Sequence, residues 1–155
     1  MTIKTAEIAR VATSTVIDAG PEAIWSALTE EIGNWWPSDF YAGGVDGQRQ
    51  FFLEAHPGGR MYEQWDGGGG VLWGTVVCVD PGVRLPVLGS LFPYWGGPSE
   101  WFGTWELQPE AGRTQLAFSE ESVGSVSASG LTEKEKGWVF LFDALKAYVE
   151  EKSGD

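Results

Sequence analysis

The chain has 155 residues, 43% of them hydrophobic and nine of them tryptophans, so it can bury the core of one folded domain and is not a disordered chain. Its formal net charge is −12 and no run of Lys or Arg offsets it, which argues against nucleic acid and anionic membrane surfaces as partners. No segment approaches the roughly 18 successive apolar residues of a membrane span, so we expect no membrane insertion.

The amino terminus and the cysteine content bear on where the protein acts. Residues 1–10 lack the apolar stretch of a secretory signal peptide. The single Cys78 excludes an intramolecular disulfide. We therefore expect a cytoplasmic protein. Separately, the negative net charge of the chain favours an apolar or cationic ligand.

The first predicted elements are a strand and a helix. Residues 8–18, IARVATSTVID, are rich in β-branched side chains, which favour a strand. Pro21 stands where the first residue of a helix tolerates a missing N–H. Three apolar residues then fall on one helical face: Ile24, Trp25 and Leu28.

This helix is predicted to break before the sheet continues. Gly33 indicates the break, and Pro37 ends a last short turn that contains Trp35 and Trp36. The pattern therefore predicts two short helices after the first strand, with two adjacent indole rings at their end.

Six short apolar runs separated by Gly and Pro turns follow, a pattern typical of antiparallel strands. The runs span residues 48–55, 60–65, 71–80, 83–89, 100–108 and 113–122. Pro86 marks the fourth run as an edge or irregular strand. The connector at residues 90–99, SLFPYWGGPS, is unusually aromatic for a loop.

The last predicted element is a helix over residues 131–152. Apolar side chains recur there at steps of three and four: Leu131, Trp138, Leu141, Phe142, Leu145, Tyr148 and Val149. Thr132 and Glu135 have the spacing of a capping box, and Ser129 or Gly130 are alternative caps.

Four stretches in this order resemble the family of the activator of heat-shock-protein-90 ATPase. They are STVIDAGPEAIWSALTEEIGNWWP at 14–37, HPGGRMYE at 56–63, GTVVCVDPGVRL at 74–85 and GWVFLFDALKAYVEE at 137–151. That family is a branch of the superfamily of START-related, birch-pollen-allergen and polyketide-cyclase domains.

The resemblance implies an α+β helix-grip fold. In that fold a seven-stranded curved antiparallel sheet wraps around a long C-terminal helix, and two short helices lie between strands 1 and 2. We expect residues 1–155 to form one such domain. The aromatic loop at 90–99 departs from the plain connection that the resemblance implies.

This geometry predicts a gap between sheet and helix. Seven strands about 4.8 Å apart make a sheet roughly 30 Å wide, whereas one helix is about 10–12 Å across. Alternation should point these residues at the gap: Val71, Trp73, Thr75, Val77, Trp101, Gly103, Trp105, Leu107, Leu116 and Phe118. Trp35 and Trp36 cannot both point inward, so we expect one at the rim and the other outside or across the entrance.

Large rings in the gap could line an open ligand cavity or fill it completely. The candidate ligand-binding residues are Trp35, Trp36, Trp65, Trp73, Trp95, Trp101, Trp105, Phe118, Trp138 and Phe142. The loop residues Leu91, Phe92, Tyr94 and Trp95 could form a lid, a contact with a second copy of the chain, or simple cover for a sheet edge.

Candidates for acid–base chemistry are few. Alternation places Glu63 and Glu120 on the inner face, although a bulge could turn Glu63 outward and Glu120 lies near water at a strand end. Tyr62 and His56 are weaker candidates, the latter because a histidine in a Pro-Gly-Gly turn is usually exposed. Cys78 is most simply a small buried residue of a strand. We expect no metal site and no cofactor, since one His and one Cys are too few ligands for zinc.

Three functions remain open at this point. The first is binding of an apolar small molecule between sheet and helix, which the aromatic residues favour. The second is a polyketide cyclase- or hydratase-like enzyme that uses the same cavity. The third, implied by the resemblance, is a co-chaperone-like protein-interaction module, and a homodimer is a further candidate assembly.

Overall fold

Seven antiparallel strands and three α-helices make up the fold, which the computed structural model describes over residues 1–43 and 47–154. In chain order the elements are β1 (Glu7–Ile17), α1 (Pro21–Thr29), α2 (Ile32–Trp35), β2 (Arg49–Leu53), β3 (Arg60–Trp65), β4 (Gly70–Val76), β5 (Arg84–Leu91), β6 (Ser99–Glu110), β7 (Arg113–Gly124) and α3 (Ala128–Ser153).

The strands form one curved sheet in the order β1-β7-β6-β5-β4-β3-β2. Its inner face and the apolar side of α3 enclose the core, to which α3 contributes Leu141, Phe142, Leu145 and Val149. The predicted α+β helix-grip class is confirmed, with α1 and α2 between β1 and β2. Over the described ranges, no helix is both long enough and apolar enough to cross a membrane.

The break between α1 and α2 lies at residues 30–31, not at Gly33 as the sequence predicts. The backbone N–H groups of Glu30 and Glu31 both donate to the Ser26 carbonyl, which closes α1. Gly33 lies inside α2, where a Cβ atom would come within 3.0 Å of the Phe51 carbonyl oxygen. A glycine at this position therefore permits close approach of α2 to β2.

The start of α3 also differs from the prediction. Ser127 is the N-cap, and its hydroxyl accepts a hydrogen bond from the Gly130 N–H at 3.1 Å. The Thr132 hydroxyl instead donates to the Ala128 carbonyl inside the first turn. The helix therefore begins one turn before the predicted capping box of Thr132 and Glu135.

Strand β4 is shorter than predicted, which corrects two expectations. It ends at Val76, so Cys78 lies beyond the strand and is exposed. Pro86 lies in the interior strand β5, so of the two predicted alternatives, an edge or an irregular strand, the edge is wrong; β4 pairs only with residues 87–89 of that strand. Pro86, which has no backbone N–H, therefore lies beside the position at which β4 leaves the sheet.

A bulge changes the inward face of β4. Met61 pairs with Gly74 and Tyr62 with Leu72, so Trp73 is the extra residue. Thr75 is exposed and Val76 is buried, opposite to the simple alternation. The expectation that Thr75 and Val77 face the helix is therefore wrong, because the bulge shifts the side-chain alternation by one residue.

Two carboxylates tie the carboxyl-terminal half of α3 to the rest of the fold, and we expect both to stabilise it against acid. Hydrogen bonds from Lys152 and Tyr148 lower the pKa of Glu31 below its ordinary value of 4.5. Lys146 and the Asp18 N–H lower the pKa of Glu150 in the same way.

Because both folded-state pKa values are depressed, the stabilisation is present above pH 4.5 and is lost as pH falls below that value. Glu31→Gln and Glu150→Gln should each lower the free energy of unfolding by less than about 1 kcal/mol near neutral pH, as is usual for partly exposed pairs. Urea unfolding across pH, with exposed Glu151→Gln as the control, checks this. An equal loss at neutral and acidic pH would contradict the expectation.

Candidate functional site

A cavity of about 260 Å³ lies between the inner face of the sheet and the first turns of α3. Its lining is mostly apolar and comprises Trp36, Phe40, Phe51, Met61, Trp73, Leu91, Trp101, Gly137, Trp138 and Leu141, together with Glu120, Glu133 and Lys134. Glu133 is exposed and Lys134 and Gly137 are half-buried, so the opening lies beside α3.

Aromatic stacking fixes the rim of this cavity. Trp36 stacks on Phe51 with ring centroids 3.9 Å apart and planes at 18°. Its buried indole N–H has no acceptor among residues 1–43 and 47–154, so packing and not hydrogen bonding orients the ring. On the other side, Phe40 stacks on Phe140 of α3 at 5.5 Å.

A row of glycines allows Trp101 to form the cavity floor. Gly74 of β4, Gly89 of β5 and Trp101 of β6 lie side by side in the sheet register. A Cβ atom on Gly89 would overlap the Trp101 ring and the Trp73 carbonyl, and one on Gly74 would lie 3.2 Å from the Trp101 ring. Because the neighbouring strands carry no side chain here, the indole lies across them.

One end of the cavity is polar. Glu120 is 4% exposed, and its Oε1 accepts from Lys134 Nζ at 2.5 Å and from the Ser122 hydroxyl at 2.7 Å. Its other oxygen, Oε2, has a long contact of 3.4 Å with the indole N–H of Trp138. The Lys134 ammonium and the Glu120 carboxylate thus form an ion pair at one end of a cavity whose other walls are mainly aromatic.

Glu63 is a second buried carboxylate, 1% exposed, but it does not line the cavity. Four N–H groups donate to it, with donor–acceptor distances of 2.6–3.2 Å: the indoles of Trp65 and Trp73 and the backbones of Ala42 and Gly43. Several N–H donors can hold a buried carboxylate without a cation. Glu63 thereby orients Trp73, one wall of the cavity.

The negative charge of Glu63 also affects a neighbouring phenol. Burial, with a further contribution from Glu63, raises the pKa of Tyr41 above its ordinary value of 10.0. Tyr41 therefore stays neutral at physiological pH, and its ring packs edge-on against Phe51 at 6.2 Å.

The structure separates the sequence-predicted ligand-binding residues into three groups. Four line the cavity: Trp36, Trp73, Trp101 and Trp138. Three are buried in the core next to it: Trp105, Phe118 and Phe142. Three lie outside the lining: Trp35, whose N–H donates to the Ala27 carbonyl; Trp65, bound to Glu63; and Trp95, in the loop.

The four acid–base candidates are not brought together. Glu120 lines the cavity, whereas Glu63 lies outside the lining and accepts hydrogen bonds from N–H groups. Tyr62 stacks on Phe52 under the guanidinium of Arg60, on the opposite face of the sheet. His56 is exposed in its turn.

Lys134 is a cavity residue that the sequence reasoning missed. It precedes Trp138 by four residues and Leu141 by seven, a spacing that places all three on one face of α3. The same helical periodicity that identified Trp138 could therefore have identified Lys134. The strand alternation of Phe51 and Leu53 could likewise have identified Phe51.

The aromatic loop lies next to the cavity. Leu91 lines it, and Trp95 lies 5.5 Å from the cavity residue Trp73, measured between ring centroids. Phe92 and Tyr94 are 66% and 88% exposed. The loop thus combines one side chain that lines the cavity with two that face solvent.

Comparisons with known proteins give one family and many structures. A family model described as Activator of Hsp90 ATPase homolog 1-like protein matches residues 18–150. No curated protein matches the chain. A solved structure from Rhizobium leguminosarum is similar with a TM-score of 0.70 and 20% identity, over 97% of this chain and 99% of that one.

Two further solved structures are similar over most of the chain. CalU16 from Micromonospora echinospora has a TM-score of 0.61 at 19% identity, over 97% of this chain and 89% of its own. The Aha1 dimer from Colwellia psychrerythraea has a TM-score of 0.61 at 19% identity, over 92% and 96%. At these identities the similarity shows a shared fold.

Proposed function

The chain belongs to the family of Activator of Hsp90 ATPase homolog 1-like proteins, and within that fold we propose that it binds an apolar small molecule in the cavity between the sheet and α3. Fold alone does not select a function, so the proposal depends on the cavity and its aromatic walls.

The observation that carries the proposal is that the large rings leave space between sheet and helix. Trp36, Trp73 and Trp101 line a volume of about 260 Å³. An apolar cavity of about 150 Å³ is enough to bind benzene. The space is therefore sufficient for a compact ligand of more than one ring.

The proposal is tested by native mass spectrometry of the purified protein, organic extraction, and titration with an environment-sensitive apolar dye. We expect a co-purifying molecule or saturable one-to-one binding of the dye. Gly137→Leu should weaken dye binding by about tenfold or more, equivalent to about 1.4 kcal/mol, because Gly137 lines the opening opposite Phe40.

Gly137→Ala is the matched control. A Cβ atom there would lie 3.4 Å from Phe40, an ordinary contact. The alanine should leave dye affinity unchanged and stabilise α3 by about 0.5–1 kcal/mol, since glycine is a poor helix former. Absence of any ligand and of saturable binding would rule out the proposed cavity function.

Association with a second copy is the other candidate, favoured by the exposed Phe92 and Tyr94. The structure of the Aha1 dimer concerns a protein of the same fold. The native mass spectra that report a bound ligand also report whether one or two chains are present, so the same measurement addresses both candidates.

A further inference from the structure

We infer that the ion pair of Glu120 and Lys134 makes the cavity selective for an uncharged, flat aromatic molecule of about two fused rings that carries a hydroxyl group. The inference rests on the proposed binding function and names the chemistry of its ligand. It comes from three features of the cavity: the hydrogen-bonding groups at its polar end, their charge, and its volume.

The polar end presents one donor and one acceptor. Of the three N–H groups of Lys134, one is directed to Glu120 Oε1 at 2.5 Å and another has a 3.4 Å contact with Ser122. Glu120 Oε2 has only the 3.4 Å contact with Trp138 among the residues that the structure describes. A hydroxyl group can donate to this oxygen and accept from Lys134 at the same time, because it has one O–H and two lone pairs.

The charges disfavour an ionised ligand. A carboxylate would face the buried carboxylate of Glu120, and a second ammonium would have to share that carboxylate with Lys134. Either ion would also lose part of its hydration beside the buried Glu120, which costs free energy without a partner of its own. The remaining charged residue of the lining, Glu133, is exposed and paired with Lys136 at 3.0 Å. A neutral hydroxyl satisfies both members of the Glu120–Lys134 pair without breaking it.

The volume and the walls define the rest of the ligand. The cavity of about 260 Å³ is a little under twice the roughly 150 Å³ that accommodates benzene. Its floor and sides are planar rings, which favour stacked or edge-on contact with another aromatic ring. A bicyclic aromatic body matches these limits.

The inference is tested with four probes of one shape: 2-naphthol, naphthalene, 2-naphthoate and 2-naphthylmethylammonium. Affinities are measured by displacement of the bound dye and by calorimetry. We expect 2-naphthol to bind about tenfold tighter than naphthalene, because hydrogen bonds to charged groups are worth more than 1 kcal/mol each. Both charged probes should bind more weakly than naphthalene.

A double variant shows whether the ion pair causes this preference. Combining Glu120→Gln with Lys134→Met removes both charges together and leaves no unpaired buried ion. The preference for 2-naphthol should fall to about twofold or less, while naphthalene still binds. Removing the exposed pair of Asp80 and Arg84 by Asp80→Asn and Arg84→Met is the matched control and should leave the preference intact.

The outcomes separate the two proposals. Equal affinity of the wild-type protein for 2-naphthol and naphthalene, or tightest binding of either charged probe, overturns the inference and leaves the cavity function standing. Failure of all four probes and the dye to bind overturns both. The wild-type probe series is decisive by itself if the double variant does not fold, which circular dichroism would show.

Discussion

Glu63→Ala is expected to lower the free energy of unfolding by about 3–5 kcal/mol, because each buried donor left without an acceptor costs about 1–3 kcal/mol. The carboxylate accepts from the indoles of Trp65 and Trp73 and from the backbones of Ala42 and Gly43. Its removal would leave these donors unpaired and a void beside Trp73. Small domains have only about 5–15 kcal/mol of stability in total, so the variant should approach unfolding.

Urea unfolding followed by tryptophan fluorescence and circular dichroism measures this effect. Gln64→Ala is the matched control, since Gln64 is the next residue of β3 and is exposed. Its substitution should change stability by less than about 0.5 kcal/mol. A loss of less than about 1 kcal/mol for Glu63→Ala would mean that water replaces the carboxylate at low cost.

Gly89→Ala is expected to lower the free energy of unfolding by about 3 kcal/mol, which is at the upper end for an added methyl group in a core. We also expect it to abolish dye binding. The new Cβ would overlap both the Trp101 ring and the Trp73 carbonyl. The carbonyl belongs to the neighbouring strand and cannot rotate away, so Trp101 must leave its position and β4 must shift. Since Trp101 is the floor of the cavity, the shape of the cavity changes as well.

The same substitution at Gly137 is the comparison, because its Cβ fits against Phe40. Thermal unfolding of both variants, with dye titration where the protein is folded, gives the result. If Gly89→Ala were as stable as the wild-type protein and bound the dye equally, Trp101 would not depend on the glycine row for its position.

The strands and helices were largely predictable because their signals are local. Alternating side chains, turn glycines and the apolar stripe of α3 are each recognised from residues only a few positions apart along the chain. Two of the errors, at Trp73 and Pro86, arise from pairing with neighbouring strands. The bulge at Trp73 is defined by pairing with Met61 and Tyr62 on another strand, and a proline is accommodated at position 86 of the interior strand β5 because β4 ends beside it.

The site was predictable only in part. Alternation placed Glu63 and Glu120 on the inner face, and both are buried. Their different environments were not predictable, since the donors to Glu63 come from residues 42, 43, 65 and 73 and the cation beside Glu120 comes from α3. Tertiary folding brings these groups together, so the spacing of residues along the chain does not predict their contacts.

The glycine row under Trp101 makes the depth of the cavity depend on one side chain. Below the indole lie the backbones of β4 and β5 at Gly74 and Gly89, which carry no side chain that could move into a vacated space. A smaller residue at position 101 would therefore deepen the pocket toward the backbones of Gly74 and Gly89. Natural or designed relatives could accept longer ligands by a single substitution at this position, and the rim and polar end would keep their present form.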